Sequence, residues 1–375
     1  MLFLTGLLAF AAWLYLALYH GAFWRILLPQ ADSEPQEWPS VAIIVPARDE
    51  ARALPASLPS LLAQDYPGEW RVALADDHSA DGTSEVARAI AEDLQEEKRL
   101  HIVAAPDLPE GWSGKVAAMQ AGVAQSGDTD MLLFTDADIR HAPHSLRQLV
   151  MRAEAGKLDL VSRMVRLNCD SFAEKLLIPA FVFFFAMLYP FRRANDPASN
   201  VAAAAGGTML LRRSMLDKIG GLASIKSALI DDCSLARAIK DADGKIELTL
   251  TGDIESLRPY PHIADVWKMV ARTADTQLRH SALLLAGTLA GMALLYLAPP
   301  LLFMFEPSPG ASLVGLLAWL LMAAIYLPMI RFYRLNPAWA LTLPVAALIY
   351  GGASFDSARL YQQGKGGQWK GRAQA

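Results

Sequence analysis

Two carboxylates separated by one residue, Asp136 and Asp138, directly follow the apolar run at residues 131–135. Carboxylate oxygens at this spacing can reach one hard divalent cation, such as Mg²⁺ or Mn²⁺, which keeps open positions for phosphate oxygens. The pair therefore suits a metal–diphosphate complex at the end of a strand. A solvated turn with acidic caps is the alternative, and it is common for any isolated pair of this kind.

A second acidic cluster, at residues 76–83, contains Asp76, Asp77 and Asp81 and also follows an apolar run. Carboxylates at a strand end can accept hydrogen bonds from a nucleobase or ribose, and Thr83 can cap the helix that follows. Taken singly, Asp81 followed by glycine is equally the pattern of an ordinary turn.

Lys115 lies at a predicted helix start, after Gly111 and Gly114. Backbone N–H groups at a helix start, together with an ammonium group, favour an anion. A surface lysine is the alternative for an isolated match.

The elements that must position these groups alternate between strands and helices. Short apolar runs at residues 41–45, 71–75, 101–104 and 131–135 read as strands, the first of them stopped by Pro46. Helical spacing precedes residue 64, follows residue 83 and begins again at residue 114. This alternation predicts a parallel sheet covered on both faces, with ligands at the carboxyl ends of its strands.

The composition favours a membrane protein and excludes other classes. Hydrophobic residues make up 53% of the 375-residue chain and charged residues only 19%, against about 25% charged in an average soluble domain. The net charge of -4 provides no basic field, so we expect no nucleic acid partner. Cys169 and Cys233 match no metal spacing, which excludes a disulfide or zinc framework.

Four apolar stretches are long enough to be candidate membrane segments, at residues 2–28, 281–305, 311–330 and 338–353. The first predicts an uncleaved anchor, because it is longer than the core of a secretory signal. The last is short for a span. Buried core helices are the weaker alternative, since charge-free stretches of this length rarely fold in water.

Basic residues flank these stretches, namely Arg25, Arg331 and Arg334. The positive-inside rule then places the central domain and the 331–334 loop in the cytoplasm, with the amino terminus outside. Three complete carboxy-terminal spans would export the basic tail. A re-entrant stretch, at Pro344 or at prolines 299–300, would avoid this.

The motifs also occur in a characteristic order: residues 45–50 (VPARDE), 76–83 (DDHSADGT), 115–122 (KVAAMQAG), 136–138 (DAD), 206–212 (GGTMLLR) and 230–236 (IDDCSLA). This ordered set resembles the family 2 glycosyltransferases with the GT-A fold. The resemblance covers roughly residues 40–260. It implies an α/β fold, with a Rossmann-like mixed sheet in a cytoplasmic domain, plus transmembrane α-helices, and a nucleotide sugar as donor.

Three further segments, at residues 111–115 (GWSGK), 267–273 (WKMVART) and 369–372 (WKGR), resemble the hopene-associated glycosyltransferases of bacterial hopanoid gene clusters. That resemblance implies a multi-pass protein of the bacterial inner membrane whose lipid acceptor is a hopanoid. A polyprenyl phosphate acceptor would require the same motifs and stays open. A membrane scaffold that binds nucleotide without turnover is less favoured, because every expected acidic position is filled.

The family resemblance implies a role for each matched residue. The donor-binding residues would be Pro46, Arg48, Glu50, Asp76, Asp77, Lys115 and Gly207. Asp136 and Asp138 would hold a divalent metal, Mg²⁺ or Mn²⁺, with Asp138 the more direct ligand. In the family, an acidic pair after the glycine motif is usually Glu-Asp. Here the pair is Asp231 and Asp232, which implies that Asp232 is the general base of an inverting transfer. The resemblance also implies a UDP-linked sugar as the donor.

The acceptor side departs from the family pattern. Many membrane members carry Gln-x-x-Arg-Trp, whereas this chain reads QLRHS at residues 277–281. We expect Gln277 and Arg279 to contact substrate and a single transfer rather than polymerisation. The phenylalanine-rich residues 172–191 predict an interfacial segment that admits a lipid, with packing inside the soluble domain as the alternative.

These observations predict five regions along the chain. They are a transmembrane anchor (1–28), a GT-A domain (38–265) that contains the interfacial segment, an amphipathic acceptor-side segment (266–280), a transmembrane region (281–356) and a basic tail (357–375).

Overall fold

The computed structural model describes residues 2–28 and 33–366, together with the backbone of residues 368–369 and 372–373. Part of the predicted basic tail, including residues 370–371 of the 369–372 motif, lies outside the described residues. The chain divides into two compact units. The helical unit contains Met1–Ile26, Cys169–Arg192 and Pro259–Gln368, and the sheet unit contains Leu27–Asn168, Arg193–Arg258 and Trp369–Ala375.

The strands and helices alternate through the first half of the chain. The strands are β1 (Val41–Ala47), β2 (Trp70–Asp76), β3 (Leu100–Ala104), β4 (Met131–Thr135), β5 (Ile139–His141), β6 (Leu160–Arg166), β7 (Thr208–Arg212), β8 (Ile246–Ser256), β9 (Gln368–Trp369) and β10 (Arg372–Ala373). The helices are α1 (Leu2–Tyr19), α2 (Leu54–Leu62), α3 (Thr83–Leu94), α4 (Gly114–Ala124), α5 (Ser145–Gly156), α6 (Phe172–Leu188), α7 (Phe191–Ala194), α8 (Arg213–Lys218), α9 (Asp231–Asp241), α10 (Ile263–Ala271), α11 (Ala274–Gln277), α12 (Ala282–Met292), α13 (Ala298–Phe305), α14 (Pro309–Phe332) and α15 (Leu343–Gln362).

The sheet unit is built on one eight-stranded sheet with the order β3-β2-β1-β4-β7-β6-β8-β5. The first four strands pair with one another in parallel, as the alternation predicts. The sheet also contains antiparallel pairs, because β7 runs antiparallel to β4 and β6, and β5 runs antiparallel to β8. The sheet is therefore mixed, as the family resemblance implies.

Pro46 does not stop the first strand, which continues to Ala47. The N–H of Val41 bonds the carbonyl of Glu69, next to β2, so the nitrogen of Pro46 points to the opposite side, toward β4. Pairing of β1 with β4 ends at Ile44. The missing N–H of proline therefore costs no ladder hydrogen bond, and the strand tolerates it.

Helices cover both faces of the sheet. Along β1, Val41, Ile43 and Val45 pack into a core with buried side chains of α2, α3 and α5. Ala42 and Ile44 point to the other face, where they pack with α4, α8 and α9. This period-two alternation, with both faces buried, is what the apolar run predicts for a central strand.

In the part of the chain that the structure describes, the helical unit contains four helices that are long and apolar enough to cross a membrane: Leu2–Tyr19, Ala282–Phe305, Pro309–Phe332 and Pro337–Gln362. The first is shorter than the predicted stretch, because the chain turns after Tyr19 through Gly21 (φ 65°) and Ala22 (φ 49°). The second is helical throughout, since prolines 299 and 300 lie in the first turn of α13 and a π-helical turn joins it to α12.

The predicted interfacial segment forms α6, which packs on α10, α14 and α15 within the helical unit. Its amino terminus is closed by a capping box between Ser171 and Glu174. The buried Glu174 carboxylate also accepts the N–H groups of Asp170 and Tyr260, at 3.0 and 2.6 Å. The Glu174 charge, which makes this segment unlike a membrane span, therefore caps the first turn of α6.

Candidate active site

Polar side chains collect at the carboxyl edge of the parallel strands in the sheet unit. Asp76 ends β2, Arg48 follows β1, and Asp136 follows β4. Lys115, in the first turn of α4, reaches the same edge, because its ammonium nitrogen lies 3.0 Å from Asp136 Oδ1. The parallel pairing of the three strands is what brings these distant residues together.

Lys115 also lies 3.2 Å from Asp231 Oδ2. Burial alone would lower the pKa of Lys115, but the nearby charges of Asp136, Asp231 and Asp232 outweigh burial and raise it. The ammonium group is therefore always charged at physiological pH. We call these four residues the Lys115 cluster.

Asp232 is held at the start of α9 by two backbone N–H groups. Gly206 donates to its Oδ2 at 2.8 Å and Cys233 to its Oδ1 at 2.7 Å. Burial and the neighbouring Asp231 charge raise the pKa of Asp232 to about 6, although Lys115 and the two N–H groups act in the opposite direction. The group is ionised at neutral pH and is still a better proton acceptor than an ordinary aspartate.

The glycine pair at 206–207 permits this arrangement. A β-carbon at Gly206 would lie 3.3 Å from both Asp232 Oδ2 and Lys115 Nζ, which is tighter than an ordinary contact. A β-carbon at Gly207 would lie 3.0 Å from two methyl groups of Val165. Gly207, predicted to bind substrate, therefore lies against the core, and its neighbour provides the N–H that contacts the carboxylate.

Asp138 faces a different cationic side chain, that of Arg258. Its Oδ2 lies 2.9 Å from Arg258 Nε, and Arg258 Nη2 lies 3.6 Å from Glu50 Oε1. Burial and the Asp136 charge raise the pKa of Asp138, and Arg258 partly opposes them. Arg258 thereby connects the predicted metal ligand to Glu50 of the predicted nucleotide pocket.

The residues predicted to bind the nucleotide lie in two loops, after β1 and after β2, which hydrogen bonds join. Arg48 Nη1 donates to the Asp77 carbonyl at 2.6 Å and lies 3.5 Å from Asp77 Oδ2. Asp76 accepts the Ser79 N–H at 2.9 Å and the Ser84 hydroxyl. We call residues 76–83 the acidic turn.

The prediction that Thr83 caps the following helix is wrong. The capping position belongs to Gly82, whose φ is 86°, and no side chain caps the helix there. The Thr83 hydroxyl instead accepts the Glu50 N–H at 2.9 Å and donates to Asp81. Thr83 thus ties the acidic turn to the loop after β1, which carries Arg48 and Glu50.

Two carboxylates are available for a metal at this edge. Among residues 2–28 and 33–366, the structure contains no group of three or more His, Cys, Asp or Glu side chains that could hold an ion. Asp136 and Asp138 nevertheless fit Mg²⁺ or Mn²⁺, because such ions commonly use one or two protein carboxylates and take their other oxygens from phosphate and water. Each of these carboxylates is paired with a cationic side chain, Asp136 with Lys115 and Asp138 with Arg258.

Gln277 and Arg279 lie in the helical unit and are not among the residues that the sheet unit assembles. Gln277 Nε2 donates to the Tyr189 hydroxyl at 2.7 Å. Arg279 is exposed, and its φ of 54° places it in the left-handed region just before α12.

The sequence reasoning missed Arg258 and the backbone N–H of Gly206. Arg258 follows β8, so a search for basic residues after every predicted strand could have found it. The role of the Gly206 N–H had no signal beyond the glycine pair itself, because a backbone donor is present at almost every position.

The fold of the whole chain is similar to that of the mannosyltransferase PcManGT from Pyrobaculum calidifontis, solved in complex with GDP-Man and Mn²⁺. The two chains are 19% identical with a TM-score of 0.58, and the match covers 93% of this chain and 99% of the other. The eight-stranded mixed sheet with acidic residues at its carboxyl edge is that of a GT-A glycosyltransferase. A model of Glycosyl transferase family 21 matches residues 4–358. The chain belongs to that family, which confirms the resemblance to glycosyltransferases of the family 2 type.

Two curated relatives match the chain over a shorter stretch. An N-acetylglucosaminyltransferase of Mesorhizobium japonicum is 31% identical over 131 residues, which are 34% of this chain and 29% of the relative. An undecaprenyl-phosphate 4-deoxy-4-formamido-L-arabinose transferase of Photorhabdus laumondii is 30% identical over 118 residues, which are 31% of this chain and 34% of the relative. The alignments therefore span about a third of each relative's length.

Proposed function

We propose that this protein transfers a sugar from a nucleoside diphosphate to a hydroxyl group of a membrane lipid, with inversion at the anomeric carbon. The observation that carries the proposal is the Lys115 cluster. There one ammonium group lies beside Asp136 of the acidic motif and beside the Asp231–Asp232 pair. A proton acceptor and the groups for a diphosphate would then act in one place.

Asp232 would be the general base. A carboxylate oxygen has two lone pairs, so each Asp232 oxygen can accept a second hydrogen bond beside the one from Gly206 or Cys233. The acceptor hydroxyl gives its proton to Asp232 as its oxygen bonds the anomeric carbon. The bond from that carbon to the diphosphate breaks on the opposite face, and the diphosphate keeps the electron pair. No covalent enzyme intermediate is required.

The leaving diphosphate needs positive charge. Asp136 and Asp138 would hold Mg²⁺ or Mn²⁺, which supplies Lewis-acid stabilisation to the phosphate oxygens when bound. Lys115 and Arg258 would turn from these carboxylates toward the phosphates and add two cations. The Mn²⁺ and GDP-Man in the Pyrobaculum calidifontis structure support this arrangement.

The nucleoside would bind along the acidic turn. Asp76 or Asp77 would accept hydrogen bonds from the base and ribose, with Arg48 holding the Asp77 backbone. Pro46 and Glu50 would line the same pocket. UDP is the expected nucleotide.

A membrane lipid is the acceptor that four candidate spans favour. The resemblance of residues 111–115 and 267–273 favours a hopanoid, in the cytoplasmic membrane of a bacterium with the sheet unit in the cytoplasm. Gln277 and Arg279 would contact this acceptor. A polyprenyl phosphate is the second candidate, because the Photorhabdus laumondii relative is named for such an acceptor.

The test uses the full chain in lipid nanodiscs with Mn²⁺ or Mg²⁺. UDP-glucose, UDP-N-acetylglucosamine and GDP-mannose are each supplied with a polyhydroxylated hopanoid or with undecaprenyl phosphate. We expect metal-dependent nucleoside diphosphate release, a glycosylated hopanoid by mass spectrometry, and loss of both in Asp232→Asn. Product on undecaprenyl phosphate alone would select the second acceptor, and retained anomeric configuration would remove Asp232 as the base.

A further inference from the structure

One buried histidine lies close to the candidate site without a role in the proposed chemistry. His141 ends β5 and is 3% exposed. Its Nε2 lies 2.9 Å from the Thr135 hydroxyl and its Nδ1 lies 3.2 Å from the Ser145 hydroxyl. Thr135 and Ser145 are themselves buried.

The hydrogen bonds determine which nitrogen carries the proton. The Thr135 hydroxyl donates its only proton to the carbonyl of Gly207, at 2.9 Å, so it must accept from His141 Nε2. In the neutral ring, Nδ1 then accepts from Ser145. The Ser145 hydroxyl also lies 3.2 Å from the amide oxygen of Gln64, which accepts a backbone N–H at 2.9 Å as well, so the single Ser145 proton is shared between that oxygen and Nδ1. Burial lowers the pKa of His141 to about 3, which agrees with a neutral ring.

The same hydrogen bonds lead to the proposed base. The Gly207 carbonyl that Thr135 holds belongs to the glycine pair, and the N–H of Gly206 donates to Asp232 Oδ2. A pair of glycines has no side chain to fix its backbone, and glycine populates more conformations than any other residue. The Thr208 hydroxyl also donates to the Gly207 carbonyl, at 2.7 Å, so Thr135 and Thr208 together restrict the conformation of the glycine pair and the direction of the Gly206 N–H.

We propose that His141 is a positioning residue, whose neutral ring orients the Thr135 hydroxyl so that the glycine pair presents the Gly206 N–H to Asp232. The inference rests on the proposed function, in which Asp232 accepts the proton of the acceptor hydroxyl. His141 itself touches neither substrate nor reacting atoms.

The test compares variants that remove the hydrogen bonds with variants that keep them. Thr135→Val and His141→Phe remove the donor or acceptor, whereas Thr135→Ser keeps the hydroxyl and His141→Gln keeps an N–H that can reach Thr135. The readout is kcat against pH, with whichever of UDP-glucose, UDP-N-acetylglucosamine and GDP-mannose is turned over, together with donor KM and the melting temperature.

Loss of the Gly206 hydrogen bond raises the pKa of Asp232, because that bond favours the ionised form. We expect the acid limb of kcat to move up by about half a pH unit to one unit in Thr135→Val and His141→Phe. We expect kcat at its plateau to fall roughly tenfold, with donor KM unchanged. Thr135→Ser and His141→Gln should return the limb toward the wild-type position.

If these residues have only a structural role, Thr135→Val and His141→Phe should lower the melting temperature and the plateau value of kcat without moving the acid limb. That result would overturn the inference. If Thr135→Val itself does not fold, an unmoved limb in His141→Phe has the same meaning. Failure of the proposed function is distinguishable, because it would appear as activity retained in Asp232→Asn.

Discussion

The two acidic regions of the sheet unit differ in what neutralises their carboxylates. In the acidic turn, Asp76 is satisfied by a backbone N–H and a hydroxyl. Burial would raise the pKa of Asp81, but hydrogen bonds from Thr83 and Ala51 outweigh it and lower the pKa. In the Lys115 cluster the carboxylates share one ammonium group instead. Burial and the Asp231 charge raise the pKa of Asp232 to about 6, although Lys115 opposes them.

This difference separates recognition from proton transfer. A carboxylate satisfied by neutral donors is a fixed hydrogen-bond acceptor, which suits the binding of a ribose or base. A carboxylate with a raised pKa can take a proton in the transition state. Changes in the Lys115 cluster should therefore affect kcat, and changes in the acidic turn should affect donor binding.

Replacement of the base should have the largest effect. Asp232→Asn removes the proton acceptor, so kcat should fall roughly 10²–10⁴-fold, while the donor Kd from calorimetry stays within about threefold. Asp241→Asn, at the exposed end of the same helix, is the matched control and should leave both values unchanged. Retention of more than a tenth of kcat in Asp232→Asn would remove the distinction between the two regions.

Removal of the shared cation comes next. In the wild type, kcat should rise with pH through about 6, because the base must be deprotonated. Lys115→Met removes the charge that favours ionised Asp232, so the midpoint should move upward by at least about one pH unit. Breaking a buried charge pair should also cost about 3–5 kcal/mol of stability.

Lys115→Arg is the control for that change. It keeps the positive charge, so its midpoint should lie near that of the wild type in the same pH–rate measurement. A midpoint at about 6 in Lys115→Met would mean that the ammonium group does not set the pKa of Asp232.

A smaller effect is expected from the glycine pair. Gly206→Ala places a β-carbon 3.3 Å from both Asp232 Oδ2 and Lys115 Nζ. The displacement should lower kcat roughly tenfold to a hundredfold with little change in donor KM. Gly220→Ala has open space for its β-carbon and a φ of 84°, so it tests backbone strain without a contact in the cluster. Equal loss of kcat in the two variants would contradict a local effect.

The acidic turn should give the smallest change in turnover. Asp76→Asn can accept with only one oxygen and loses one of its two contacts, so donor KM should rise roughly threefold to tenfold. The value of kcat at saturating donor should stay constant. Asp93→Asn, exposed on α3, is the control. A fall in kcat without a change in KM would contradict a recognition role for the turn.

The first four strands and the acidic groups at their ends could be read from the sequence, because a buried parallel strand leaves a continuous apolar run. The direction of β7 could not, since a five-residue strand with three central apolar residues looks the same whichever way it pairs. The prediction that Pro46 stops the first strand failed for a related reason. Its cost depends on which neighbour its nitrogen faces, and that is a property of the assembled sheet.

The candidate site was foreseeable where a motif carries its own chemistry and hidden where a partner comes from far along the chain. Asp136 and Asp138 were found by type and spacing, and Asp232 was found through the family resemblance. Arg258 is 120 residues from Asp138 in sequence, and only the folded chain brings their side chains within 2.9 Å. His141 had no signal, because a buried histidine and a solvated one look alike in a sequence.

The pairing of Lys115 and Arg258 has a consequence for the order of events. Together these two cations face five carboxylates, those of Glu50, Asp136, Asp138, Asp231 and Asp232. A pyrophosphate group that enters this cleft without a bound cation is repelled by the excess negative charge. Donor and product should consequently travel with a neutralising counterion, and a chelator should weaken product inhibition by the free nucleoside diphosphate.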